Sequence, residues 1–145
     1  MLVDASILLY AVDEESPFHD TARQWLEAAL NGPRRVAISW ESLAAFIRIV
    51  TNPRALRNPL TPGEAWEHVA DWLDAPAVWI PQQGRGYASI LERLLVDLDL
   101  RGNLVADAVL AAICIEHGLE MVSADSDFAR FQEIAWTNPV AGDRR

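Results

Sequence analysis

Met1-Leu2-Val3-Asp4-Ala5-Ser6-Ile7-Leu8-Leu9-Tyr10 carries a single carboxylate inside an otherwise apolar run. Leu2-Val3 followed by Ile7-Leu8-Leu9-Tyr10 reads as a short buried strand that turns at Asp4-Ala5-Ser6. Charged residues are seldom buried unless paired or bound to metal. Asp4 is therefore either a solvent-facing turn residue or part of a site at the end of a strand. The rest of the chain decides between these readings.

Moving outward, Ser16-Pro17 reads as a helix start, with a cap residue followed by proline at the first helical position. Phe18, Ala22, Trp25, Leu26, Ala29 and Leu30 form its apolar stripe, and Asn31-Gly32-Pro33 ends it. Val36-Ala37-Ile38 is a second strand. Ser39 can cap the next helix, which places Glu41 in its first turn and runs to Val50 before Asn52-Pro53. Thr61-Pro62-Gly63-Glu64 is a capping box that opens a helix through Trp72. Val78-Trp79-Ile80 is a third strand, and Tyr87 to Leu98 a helix. Asn103 can cap a helix along Leu104, Ala108, Ala111, Ala112 and Ile115 that ends at His117-Gly118, with Asp107 about one turn inside it. Met121-Val122 is a fourth strand, followed by Asp125. Asp127 to Phe131 reads as a short helix with Asp127 as its cap, and Ile134-Ala135-Trp136 as a last strand. Alternating strands and helices predict an α/β fold, with a central parallel sheet of four to five short strands flanked by helices. Residues 1–140 are expected to form one domain and residues 141–145 a tail.

In such a sheet, sites lie outside the carboxyl ends of the strands. Asp4, Glu41, Asp107 and Asp125 each follow a strand or open a helix, so four carboxylates converge on one edge. Asp107 stands out because Val105, Ala106, Ala108, Val109 and Leu110 around it are all apolar. Glu41 is less distinctive, since the helix dipole favours glutamate in any first turn. A carboxylate cluster repels itself unless a cation sits in it, and oxygen ligands favour Mg²⁺ or Mn²⁺.

Composition narrows the function further. The 145 residues are 51% hydrophobic and carry a net charge of −9, which argues against broad non-specific binding to nucleic acid. All twelve basic residues are arginine. A phosphoacceptor domain or a haloacid-dehalogenase-like phosphatase normally uses a lysine, and this chain has none. Gly84-Arg85-Gly86 likewise lacks the lysine of a nucleotide-binding loop. Cys114 lies in an apolar helical pattern and reads as a small buried hydrophobe. No segment reaches the length of a membrane span, the first strand leaves no room for a signal peptide, and a cytoplasmic location is expected. His19, His68 and His117 sit on helical segments away from the acids and read as packed or solvated. Arg48, Arg54, Arg57, Arg85 and Arg101 are candidates for phosphate contacts, each set against an ordinary solvated surface role.

Asp4-Ala5-Ser6 with Leu8-Leu9-Tyr10-Ala11, Ser39-Trp40-Glu41 with Arg48 to Arg54, Gly102 to Ala108, Ser123-Ala124-Asp125-Ser126-Asp127-Phe128, and Trp136-Thr137-Asn138-Pro139 occur in that order. Together they resemble the PIN-domain nucleases and, within them, the toxins of the VapBC toxin–antitoxin systems. Those toxins often have histidine or proline before the third aspartate, where this chain has Ala106. The resemblance implies an Mg²⁺- or Mn²⁺-dependent endoribonuclease restrained by a cognate antitoxin. Asp4, Asp107 and Asp125 would bind the metal, and Glu41 would hold it through water or orient the attacking water. It also implies a homodimer or a toxin–antitoxin hetero-oligomer. Trp66, Trp72 and the segment from Ala65 to Leu73 offer apolar surface for an antitoxin helix, although each tryptophan could equally belong to the core. The competing expectation is a non-catalytic interaction module of the same fold.

Overall fold

A computed structural model describes residues 1–142 of the chain. In order, the elements are β1 (Leu2–Val3), α1 (Ala5–Val12), α2 (His19–Leu30), β2 (Val36–Ala37), α3 (Trp40–Val50), α4 (Pro62–Asp74) and β3 (Val78–Trp79). They continue with α5 (Tyr87–Asp97), α6 (Leu104–His117), β4 (Met121–Val122), a 3-10 helix (Ser126–Arg130) and β5 (Trp136–Thr137). The expected tail at 141–145 falls mostly outside the described residues.

The five strands form one parallel sheet in the order β3-β2-β1-β4-β5. Leu2 pairs with both Ala37 and Met121, which puts β1 at the centre. Side chains alternate across the pleat. Val3, Val36 and Val122 face a core shared with Ile7, Leu8, Leu26, Phe46 and Val69, from α1 to α4. Leu2, Ala37 and Met121 face the opposite core, built from Leu94 of α5 and from Ala108, Ala111 and Ala112 of α6. Those three alanines are fully buried, so α6 packs against its neighbours through its smallest side chains.

Several local expectations hold. Ser39 caps α3, its hydroxyl accepting from the Ser42 amide at 3.1 Å. The Thr61/Glu64 capping box is complete. Gly118 ends α6 in the left-handed region at φ 66°, a conformation that suits glycine. Cys114 is buried, and that burial pushes its thiol pKa up to about 12. Trp72 lies in the core, whereas Trp66 on the same helix is half exposed. No described helix is long and apolar enough to cross a membrane.

The departures have physical causes. Ile7 to Tyr10 is helical, not extended: Asp4 ends β1 and its carbonyl accepts from the Ile7 and Leu8 amides to open α1. A short apolar run has no period that separates a buried strand from a buried helix. α2 starts at His19, because the Ser16 hydroxyl is used in a tight turn, accepting from the Phe18 amide. Asn103 precedes α6 without a side-chain cap bond. β5 begins at Trp136, two residues later than expected, because Phe131 O takes the Ile134 amide into a turn while Ala135 O pairs with Met121.

Candidate active site

The carboxyl ends of β1, β2 and β4 release the chain into Asp4, Ser39 and Ser123, and this edge of the sheet carries the acids. Asp107 comes from the first turn of α6, and Asp125 and Asp127 from the 3-10 helix that follows β4. One carboxylate oxygen from each of Asp107, Asp125 and Asp127 lies within 4.8 Å of the other two. Partial burial, together with the negative charges of Asp125, Asp4 and Asp127, pushes the Asp107 carboxyl up to about 6, and Arg130 opposes the shift.

Asp4 stands beside this trio on a hydroxyl scaffold. Its Oδ2 accepts from Ser6 Oγ at 2.9 Å and from Ser123 Oγ at 2.8 Å. Each hydroxyl has one proton and spends it there, so the 3.3 Å approach of the two serine oxygens is a convergence rather than a further bond. The hydroxyls also accept backbone protons, Ser6 from Ala124 N and Ser123 from Asp125 N, at 3.1 and 2.9 Å. Ser123 is fully buried, and its carbonyl accepts from the Trp136 indole. The ends of β1 and β4 are thereby laced together. Among the described residues, Oδ1 of Asp4 receives no hydrogen bond and stays available.

The capping roles of the two aspartates are the reverse of the sequence expectation. Asp125 is the cap, its Oδ1 accepting from the Asp127 amide at 2.8 Å. Asp127 instead points its carboxylate at the cluster and pairs with Arg130 at 3.0 Å. Capping needs an oxygen just before the first helical amide, and the 3-10 helix starts one residue earlier than read. Glu41 is exposed at the start of α3 and is not one of the three acids whose oxygens meet; its Oε1 accepts from Gln83 Nε2 at 2.8 Å.

Ser6, Ser123 and Arg130 were not among the residues the sequence pointed to. The available signals were short-range: a serine two residues from an aspartate just after each of two strands, and an Asp–Arg pair three apart. Among the five candidate arginines, Arg101 pairs with Asp99 and is strongly exposed. Arg48, Arg54, Arg57 and Arg85 are surface residues. None of the three histidines joins the acids. His19 bonds the Tyr10 carbonyl, His68 packs against Phe46 and Trp72, and His117 bonds the Gln82 carbonyl.

An all-oxygen, largely carboxylate donor set that repels itself and has oxygens free to bind fits a hard divalent cation such as Mg²⁺ or Mn²⁺.

A sequence model of the PIN domain matches residues 1–134. The chain is 42% identical over 140 residues to ribonuclease VapC37 of Mycobacterium tuberculosis, covering 97% of each. Its fold is similar to the solved VapBC2 of Rickettsia felis bound to a promoter DNA fragment, at TM-score 0.69 and 18% identity, covering 94% of this chain and 96% of that one. It is also similar to VapC20 of Mycobacterium tuberculosis, described as a toxin that cleaves the sarcin–ricin loop, at TM-score 0.68 and 20% identity, covering 90% and 94%.

Proposed function

Because this chain belongs to the PIN-domain family and, within it, to the VapC proteins, we propose that it is a metal-dependent endoribonuclease acting as the toxin of a toxin–antitoxin pair. The observation that carries the reading is the carboxylate trio Asp107, Asp125 and Asp127 with Asp4 beside it. The ribonuclease name of a relative 42% identical over nearly the whole chain supports the activity.

In this reading Asp4, Asp107 and Asp125 hold the cation, with Asp127 at the rim. When bound, Mg²⁺ or Mn²⁺ supplies an activated water and offsets charge developing on the phosphodiester oxygens. Ser6 and Ser123 keep the Asp4 carboxylate aimed by giving both their protons to one of its oxygens. Glu41 orients the attacking water. Arg130 provides a guanidinium beside the acids that suits a substrate phosphate.

The partner follows from the same reading and is supported by the solved VapBC2 assembly of this fold. The antitoxin covers apolar surface around Trp66 and the cavity lined by Val12, Leu26, Leu30, His68 and Trp72, and it sends a basic side chain into the acidic site.

The test is direct. Purified protein with single-stranded RNA and Mn²⁺ or Mg²⁺ gives cleavage that EDTA stops and that Asp4→Asn abolishes. RNA left intact with either metal would instead favour a non-catalytic interaction module.

A further inference from the structure

Glu41 poses a problem of placement. The charges that act on Asp107 are those of Asp125, Asp4, Asp127 and Arg130, whereas the charge of Glu41 acts on Tyr87. An exposed glutamate in a first helical turn samples several rotamers unless its hydrogen-bond partner is itself fixed. Gln83, its partner, is anchored on both sides. The Gln82 carbonyl accepts from His117 Nε2 at 2.7 Å, and the Gly84 amide donates to Glu116 Oε1 at 2.7 Å. A Cβ on residue 84 would come 3.0 Å from the Glu116 carboxylate, so a larger residue there would push that carboxylate back by a few tenths of an ångström.

These anchors have firm footing. The Glu116 side chain is only 14% exposed, and the His117 ring packs edge-on against Trp79 of β3. Both lie in the last turn of α6, the helix whose first turn carries Asp107. Asp107 and Glu116 are nine positions apart, about 13.5 Å of helix at about 1.5 Å per residue. One rigid element thus carries an acid of the trio at one end and fixes the Gln83 loop at the other.

We infer that Gln83 is a positioning residue for Glu41, held in place by the Glu116–His117 clamp on α6. The inference rests on the nuclease reading above. The choice of side chain fits the task. A carboxamide donates to one carboxylate oxygen, leaves the other for water, and brings no charge to compete with a cation. An arginine at this place would neutralise the glutamate.

Two measurements test it. In metal-free protein, the Gln83 side-chain amide gives NMR resonances with one proton slowed in exchange. That protection is lost in Glu41→Ala and reduced in Glu116→Ala. In the RNA cleavage assay, Gln83→Ala lowers kcat about 10- to 100-fold, the usual cost of removing a partner that orients an active-site ligand, with KM changed less than about twofold. Gln83→Glu, which loses the donor and adds a like charge, falls at least as far. Glu116→Gln keeps an oxygen acceptor for Gly84 and retains more activity than Glu116→Ala. The Gln83→Ala/Glu116→Ala double variant is no worse than Gln83→Ala alone. Wild-type kcat in Gln83→Ala, with Asp107→Asn inactive, would overturn the positioning role and leave the nuclease reading intact. Multiplying losses in the double variant would overturn the clamp. No cleavage by the wild-type protein would overturn the nuclease reading, and the inference with it.

Discussion

Replacing Asp107 by asparagine should stabilise the metal-free protein. The carboxyl is pushed from an ordinary 3.8 to about 6, chiefly by burial and then by Asp125, Asp4 and Asp127. At 1.36 kcal/mol per pKa unit this corresponds to about 3 kcal/mol against the ionised form. The group is only half buried, so screening reduces the effect to roughly 1–2 kcal/mol. The sign follows from linkage: the folded state binds this proton more tightly than the unfolded chain. The favourable contribution of a protonated Asp107 is fully present below about pH 3.8 and is lost as the pH rises through about 6. Asparagine keeps the shape and carries no charge at any pH. Asp107→Asn should therefore melt about 3–6 °C above the wild type at pH 8 with EDTA, taking about 3 °C per kcal/mol for a chain of this size. The gap should close as the pH falls from 6 to 4. Thermal unfolding of both proteins across that range checks it. A lower melting temperature for Asp107→Asn at pH 8, or a gap independent of pH, would refute the electrostatic account of the cluster.

Three further outcomes are expected. Mn²⁺ or Mg²⁺ should raise the wild-type melting temperature by mass action, and the rise should vanish in the Asp4→Asn/Asp107→Asn double variant; equal shifts would place the ions elsewhere on this acidic surface. Ser123→Ala leaves the Asp125 amide without its acceptor and Asp4 with one hydroxyl donor instead of two, so denaturant titration should show a loss of roughly 1–3 kcal/mol. Replacing the antitoxin's basic residue that enters the acidic site by alanine should restore cleavage while much of the complex survives in size-exclusion chromatography; full inhibition by that variant would point to steric cover.

What could be read from the residues was what depends on local chemistry. Thr61-Pro62-Gly63-Glu64, Ser39 and Gly118 fix helix ends through their own backbone and side-chain bonds, and all three behave as read. The alternation of short apolar runs with helical stripes led to the parallel sheet, and the apolar surroundings of Asp107 marked a carboxylate that needed a reason. Ile7 to Tyr10 was misread because an apolar run of four carries no period. The shared roles of Ser6 and Ser123 are not legible locally, because they arise from residues 117 positions apart meeting at adjacent strand ends. Asp125 and Asp127 differ only in which amide their oxygens meet, a matter of one residue in the start of a 3-10 turn. The partner of Glu41 is likewise a tertiary fact, since Gln83 lies 42 positions away in the chain.

The buried alanines beneath α6 have a further consequence. Ala108, Ala111 and Ala112 let this helix settle as near its neighbours as its backbone permits, in the same cluster as Leu2, Ala37 and Met121. The spacing of the trio is thus set partly by methyl groups buried in the core. A larger side chain there would work like a shim, lifting the helix and carrying Asp107 away from Asp125 and Asp127. Tight packing makes such a displacement costly to absorb elsewhere. Activity could then be lost through bulk alone, with every charged group still in the sequence and the overall fold retained.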